Sequence, residues 1–134
     1  MRIVLMVSLI VVAIAVRSVQ TAETGSALAQ TPHVTLKWLG TAGWEIQFAQ
    51  AKILIDPFLT RKQAVAGEEW KTDEEAVLNV ISGADYIFAG HSHADHIADI
   101  PFIAKRFGAK VIGSRTTINL CLSAGDDKAQ LTTI

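Results

Sequence analysis

The chain has 134 residues, with 12 Lys+Arg nearly balancing 13 Asp+Glu, which suits one domain with one core. It carries no basic block or arginine-rich stripe, so a nucleic-acid partner is not expected. Half of the residues are hydrophobic, but part of that excess is gathered at the N-terminus and does not count toward a core.

The N-terminus reads as a secretory signal over residues 1–29. Arg2 supplies a short positive region, and Ile3 to Val16 is an apolar run of 14 residues interrupted only by Ser8. Ala27-Leu28-Ala29 offers the small-x-small pattern that a signal peptidase accepts. The run falls short of the roughly 20 residues of a membrane span. An exported protein, periplasmic or secreted, is therefore expected, with no stable membrane span after cleavage. Arg17, directly after the run, keeps an uncleaved N-terminal anchor as the alternative. No cysteine lies near the cleavage region, so a lipoprotein anchor is not expected. The single cysteine, Cys121, excludes an internal disulfide. Its neighbours Ile118, Leu120 and Leu122 mark it as a small buried hydrophobe.

Beyond a linker at Gln30 to Pro32, Val34, Leu36 and Trp38 alternate with Thr35 and Lys37, the period of a half-buried strand. Gly40-Thr41-Ala42-Gly43 breaks it. Trp44, Ile46 and Phe48 alternate in the same way, and Gln50-Ala51 turns the chain into Lys52-Ile53-Leu54-Ile55, closed by Asp56-Pro57. These three strands form an antiparallel meander. The alternation reads Trp38 and Trp44 as core, the alternative being the lining of a substrate cleft, and His33 is read as exposed. Residues 59–71 have no period and form a loop. Thr72-Asp73-Glu74-Glu75 fits a capping box with Thr72 as the cap. The stripe Ala76, Val77, Val80 and Ile81 then makes a helix that Gly83 stops. Asp85 to Ala89 is a strand, and Gly90 ends it. Asp99 caps a helix presenting Ile100, Ile103, Ala104 and Phe107, with Gly108 as its stop. Lys110 to Gly113 is a strand, and Ser114 caps a helix running to about Ala124. Asp126-Asp127 is a solvated turn, and Leu131 to Ile134 suits the start of a strand. An opening meander followed by alternating strands and helices is a layered α/β pattern.

Three of the four histidines fall within six residues, in His91-Ser92-His93-Ala94-Asp95-His96. With this composition such a spacing arises by chance about twice in ten thousand chains. In an extended stretch His91 and His93 point the same way, and Asp95 and His96 add a carboxylate and a third imidazole. Neutral imidazoles with a carboxylate suit zinc above all, with manganese or iron as alternatives.

His91-x-His93-x-Asp95-His96, following Asp85-Tyr86-Ile87-Phe88-Ala89-Gly90, resembles the signature of the metallo-β-lactamase superfamily. The stretch from Trp38 to Ile46, with Ile53-Leu54-Ile55-Asp56-Pro57-Phe58, resembles the opening of its ascorbate-phosphate-lactonase-like branch. The resemblance implies an αββα sandwich, of which residues 30–134 would be the N-terminal half. It implies a metal-dependent hydrolase acting on a lactone, ester, amide or phosphodiester, with a small-molecule substrate. His91 and His93 would hold a first zinc ion, and Asp95 and His96 a second. Asp95 would also serve catalysis by setting the metal-activated water that attacks the substrate. Asp56 would support the histidine loop by hydrogen bonds, the alternative being a turn aspartate before Pro57.

The family completes its site with later histidines and a bridging aspartate, and this chain has no histidine after His96. The domain is therefore expected to be truncated at its C-terminus, and the chain alone to be inactive or nearly so. The alternative is a non-catalytic fragment that binds a metal or a partner. If the leader is cleaved as read, mass spectrometry of the exported protein should find a chain beginning at Gln30. A chain retaining Met1 to Ala29 would instead establish the anchor.

Overall fold

In the computed structural model, which describes residues 33–62, 67 and 70–134, six strands form one sheet in sequence order. They are β1 (Val34–Gly40), β2 (Gly43–Phe48), β3 (Ala51–Ile55), β4 (Tyr86–Ala89), β5 (Lys110–Gly113) and β6 (Leu131–Thr133). The signal segment, residues 1–29, lies outside the described residues. The first three strands are antiparallel, as the short turns require, and β3 to β6 are parallel. Parallel neighbours need crossovers. These contain helices α1 (Glu74–Leu78), α2 (Ala94–Ile97), α3 (Ile100–Phe107) and α4 (Arg115–Ser123). Among the described residues no helix is long and apolar enough to cross a membrane.

The helices cover one face of the sheet. Leu54, Ile87 and Val111 are register partners across β3, β4 and β5, and all three are fully buried. Val77, Ile97, Ile100, Ile103, Ile118 and Cys121 pack on them from the helices. Cys121 is thus the buried hydrophobe expected. Burial pushes its thiol up to about 12, with the Asp126 charge as a further cause, so it is protonated at neutral pH.

The other face is open. One row across the sheet reads Trp38, Trp44, Ile55, Phe88 and Ile112, and the next reads Leu36, Ile46, Ile53 and Tyr86. Leu36 is 61% exposed, Trp38 64% and Phe48 48%. The expectation that Trp38 and Trp44 are core residues is therefore corrected. Their alternation is real, but the face it defines has no layer on it among the described residues. An apolar sheet face of this kind is what a second sheet covers in a sandwich, about 10 Å away. The mixed α/β layering thus corresponds to one half of an αββα arrangement.

Other local readings also change. Asp73, not Thr72, caps α1: its carboxylate accepts from the Ala76 amide at 3.1 Å, while Thr72 reaches the Ala98 carbonyl. The helix stops at Leu78, yet Ile81 still reaches the core. Ser114 caps α4 as expected, accepting from the Thr117 amide. Asp126 is buried rather than solvated, and burial raises its carboxyl above the ordinary aspartate value. Asp127 accepts from the Ala129 amide at the start of a 3-10 turn, and His33 is exposed as expected.

An open apolar face should bind the dye ANS with a strong gain in fluorescence in the native protein. Replacing Leu36 and Phe48 together by lysine should remove most of that gain and change stability by about 1 kcal/mol or less, because neither belongs to the buried core. An unchanged signal in the double variant would place the dye elsewhere.

Candidate metal centre

Parallel strands β3 and β4 end side by side, with Ile55 opposite Phe88. The carboxyl ends of parallel strands are where open α/β sheets bind ligands. Here the chain leaves β3 at Asp56 and β4 at Gly90. The Asp56 amide donates to the Phe88 carbonyl at 3.0 Å. Asp56 adopts a left-handed backbone, φ 42°, which turns its side chain back across β4. Such a conformation costs a non-glycine residue about 1 kcal/mol or more. Oδ1 accepts from the Gly90 amide at 2.7 Å, and Oδ2 lies 3.1 Å from His96 Nδ1. A Cβ on residue 90 would stand 3.1 Å from Oδ2, so the close approach of the carboxylate favours glycine there.

The three clustered histidines come together. The rings of His91 and His93 are 4.0 Å apart between centroids, and those of His91 and His96 are 5.0 Å apart. His96 Nε2 lies 3.7 Å from the Asp95 carboxylate. The extended backbone that the spacing of His91 and His93 suggested does not continue through the motif. His93 is extended (φ −78°, ψ 158°), but Asp95 and His96 sit on the short helix α2. A helical turn serves as well, because it sets the Asp95 side chain beside the His96 ring.

On the far flank Ser92 Oγ is 3.0 Å from Ser114 Oγ and 2.9 Å from Thr117 Oγ1. The histidine loop is therefore held on one side by Asp56 and on the other by hydroxyls at the start of α4. Thr117 is buried, and Gly113 leaves it room: a Cβ there would stand 3.0 Å from Thr117 Cγ2.

Asp99 does something other than cap α3. It stands at the N-cap position but makes no side-chain cap bond. Its fully buried carboxylate accepts from the Leu59 amide at 2.7 Å, the Thr60 amide at 2.8 Å and the Thr60 hydroxyl. The Thr60 oxygen in turn accepts from the Asp73 amide at 2.8 Å. Asp99 thus ties the loop after Asp56 to the helix after the histidines. Sequence reasoning passed over Ser92, Thr117 and Thr60, whose partners are 13 to 39 residues away. The one local signal was Ser114 at a helix start.

The donor set fits a metal ion in its chemistry. His96 Nδ1 is buried and, although 3.1 Å from Asp56, lies off the line of an N–H···O bond. His91, His93 and Asp95 are exposed at the edge. Among the described residues no three His, Cys, Asp or Glu side chains are already set at the spacing of a metal cage. The side chains are gathered but not set as a cage.

Residues 35–120 match the family model of the beta-lactamase superfamily domain. A UPF0173 metal-dependent hydrolase of Rhizobium meliloti is 38% identical over 92 residues, covering 69% of this chain and 35% of the relative. One from Sinorhizobium medicae is 37% identical over 90 residues, covering 67% and 34%. Among solved structures, Igni18, a metallo hydrolase from the archaeon Ignicoccus hospitalis, superposes with a TM-score of 0.56 at 26% identity. That match covers 75% of this chain and 39% of Igni18. The chain therefore spans about a third of the length of the curated relatives it matches. With its sheet half-covered, its histidines at the strand ends and its matched segment running from β1 into α4, the chain belongs to the beta-lactamase superfamily, among relatives named metal-dependent hydrolases.

Proposed function

We propose that His91, His93, Asp95 and His96 hold zinc, and that the protein hydrolyses a small molecule bearing a lactone, ester, amide or phosphodiester bond. The observation that carries this reading is the convergence of three imidazoles and a carboxylate where β4 ends, with Asp56 behind His96. When bound there, zinc supplies a water acidic enough to act as hydroxide at neutral pH and polarises the bond to be cleaved. His91 and His93 would serve one ion, and Asp95 and His96 a second.

Asp56 acts by orientation. Were the His96 ring turned so that its Nδ1–H donates to Asp56 Oδ2, 3.1 Å away, Nε2 would keep the free lone pair on the side that faces Asp95. The Gly90 amide holds Asp56 in turn, so the chain at the end of β4 would then fix that tautomer. Two protein ligands per ion bind more weakly than the three or four of a finished site. Hydrolysis is therefore proposed for the polypeptide in which further donors complete each ion, in keeping with the third of the relatives' length spanned here. The exposed apolar sheet face, with Leu36 and Trp38 on it, favours one second reading, a metal- or partner-binding module without catalysis. The apolar run before residue 30 supports export, and the periplasm or the exterior is the proposed location.

Equilibrium dialysis against zinc should load the chain. Replacing His91 and His93 together by alanine should remove at least half of the bound metal, whereas His33→Ala should leave it unchanged. Zinc content indifferent to the paired substitution would end the assignment. Asp56→Ala should weaken binding about 10–100-fold, the range found when a carboxylate behind a ligating histidine is lost. Measured affinity equal to that of the unsubstituted chain would make Asp56 a turn residue only. Metal binding without lactone or phosphodiester hydrolysis by the longest polypeptide containing this segment would favour the second reading.

A further inference from the structure

Left-handed backbone is concentrated at the edge that carries the histidines. Among the described residues four non-glycine positions have positive φ: Thr41 (50°), Ala49 (51°), Asp56 (42°) and Arg61 (47°). Ala49 belongs to the hairpin turn at the opposite edge of the sheet. Thr41 follows β1, Asp56 follows β3, and Arg61 lies in the loop beyond Asp56 with its guanidinium on the end of β1. Strained backbone gathers where a protein positions functional groups. Thr41 is accounted for by its tight turn and Asp56 by its reach to His96. Arg61 is left without a part in the site so far described.

Its side chain has a built seat. Arg61 Nη2 donates to the Leu39 carbonyl at 2.8 Å, and the guanidinium lies against Gly40 so closely that a Cβ there would be 2.1 Å from Nη2. Gly40 (φ 99°) continues through the turn to Gly43, where a Cβ would stand 3.0 Å from the Asp56 carbonyl oxygen. Asp56 in turn lies 3.1 Å from His96. The guanidinium, the glycine turn, Asp56 and the histidine loop thus form one contiguous edge. The backbone just before Arg61 is fixed as well, because Asp99 holds the Thr60 amide and hydroxyl.

Among the described residues, Lys62 beside it in the chain pairs with Asp73 at 3.1 Å, and Lys37 on β1 donates to the Val80 carbonyl. A guanidinium offers five N–H donors in a planar fork, and among the described residues the Leu39 carbonyl takes one Nη2 hydrogen. The rest can take two oxygens of a carboxylate or a phosphate side by side, which an ammonium cannot do.

We propose that Arg61 is a specificity-determining residue that binds an oxyanion on the substrate, a carboxylate or a phosphate group. From the end of β1 to the end of β4 is three strand spacings, so this anion sits roughly 10–15 Å from the bond presented to the histidines. The proposal rests on the hydrolase reading above and narrows its substrate to anionic molecules of about that reach.

The test is a titration of the full chain, zinc-loaded and zinc-free, with inorganic phosphate and separately with acetate, following the arginine Nε–H signals by NMR. Saturable movement of the Arg61 signal in the zinc-free chain is expected with at least one of the two anions, and whichever acts identifies the group. Arg61→Gly suits the left-handed backbone, so it should keep or raise the melting temperature while abolishing anion binding. Arg61→Lys keeps the charge and should bind at least about 10-fold more weakly, for want of the fork. An unmoved Arg61 signal, or undiminished binding in Arg61→Gly, would overturn the proposal. Failure of the metal reading would appear separately, as histidine ring signals that do not respond to zinc.

Discussion

The site depends on one buried carboxylate at the junction of two strands. Asp56 closes β3, grips the first amide after β4 and faces the inner nitrogen of His96. Its backbone amide carries the ladder to the Phe88 carbonyl, and its carboxylate adds the bond to the Gly90 amide directly before the histidines. The left-handed turn at residue 56 and the glycine at 90 both follow from the need to bring this carboxylate across the strand ends.

The same edge is braced from two other directions. Asp99 reaches back from the start of α3 to hold the loop that follows Asp56. The hydroxyls of Ser114 and Thr117 hold Ser92 within the histidine motif. A sheet covered by helices on one face supplies the rigid base for these contacts, and its other face presents aromatic and aliphatic rows up to the metal edge. The proposed metal donors therefore stand at the junction of a packed layer and an open one.

Strands were legible in the sequence because each lies on a sheet with unlike faces, so that alternation survives in β1 and β2. The alternation could not say which face is covered, and Trp38 and Trp44 were assigned to a core they do not join. The histidine motif stood out because its residues are adjacent in the chain. Asp56, 34 residues from Gly90, was reached only through the family resemblance, and the hold of Asp99 on Thr60, 39 residues away, was not foreseen. Asp99 was read as a cap because Pro101 and an apolar stripe follow it; the competing long-range bonds have no local mark. Thr72 and Asp73 are both competent caps, and the Thr60–Asp73 hydrogen bond gives a physical reason for the choice. Asp126 shows the same limit, since its burial depends on how α4 and the 3-10 turn fold over it.

Zinc K-edge X-ray absorption of the metal-loaded chain tests the central assignment most directly. The expected spectrum has nitrogen and oxygen neighbours at about 2.0–2.1 Å with the outer-ring scattering of imidazole. A sulfur neighbour at about 2.3 Å, which only Cys121 or the methionines could provide, or a spectrum without imidazole, would contradict the assignment of the histidine loop as the metal site.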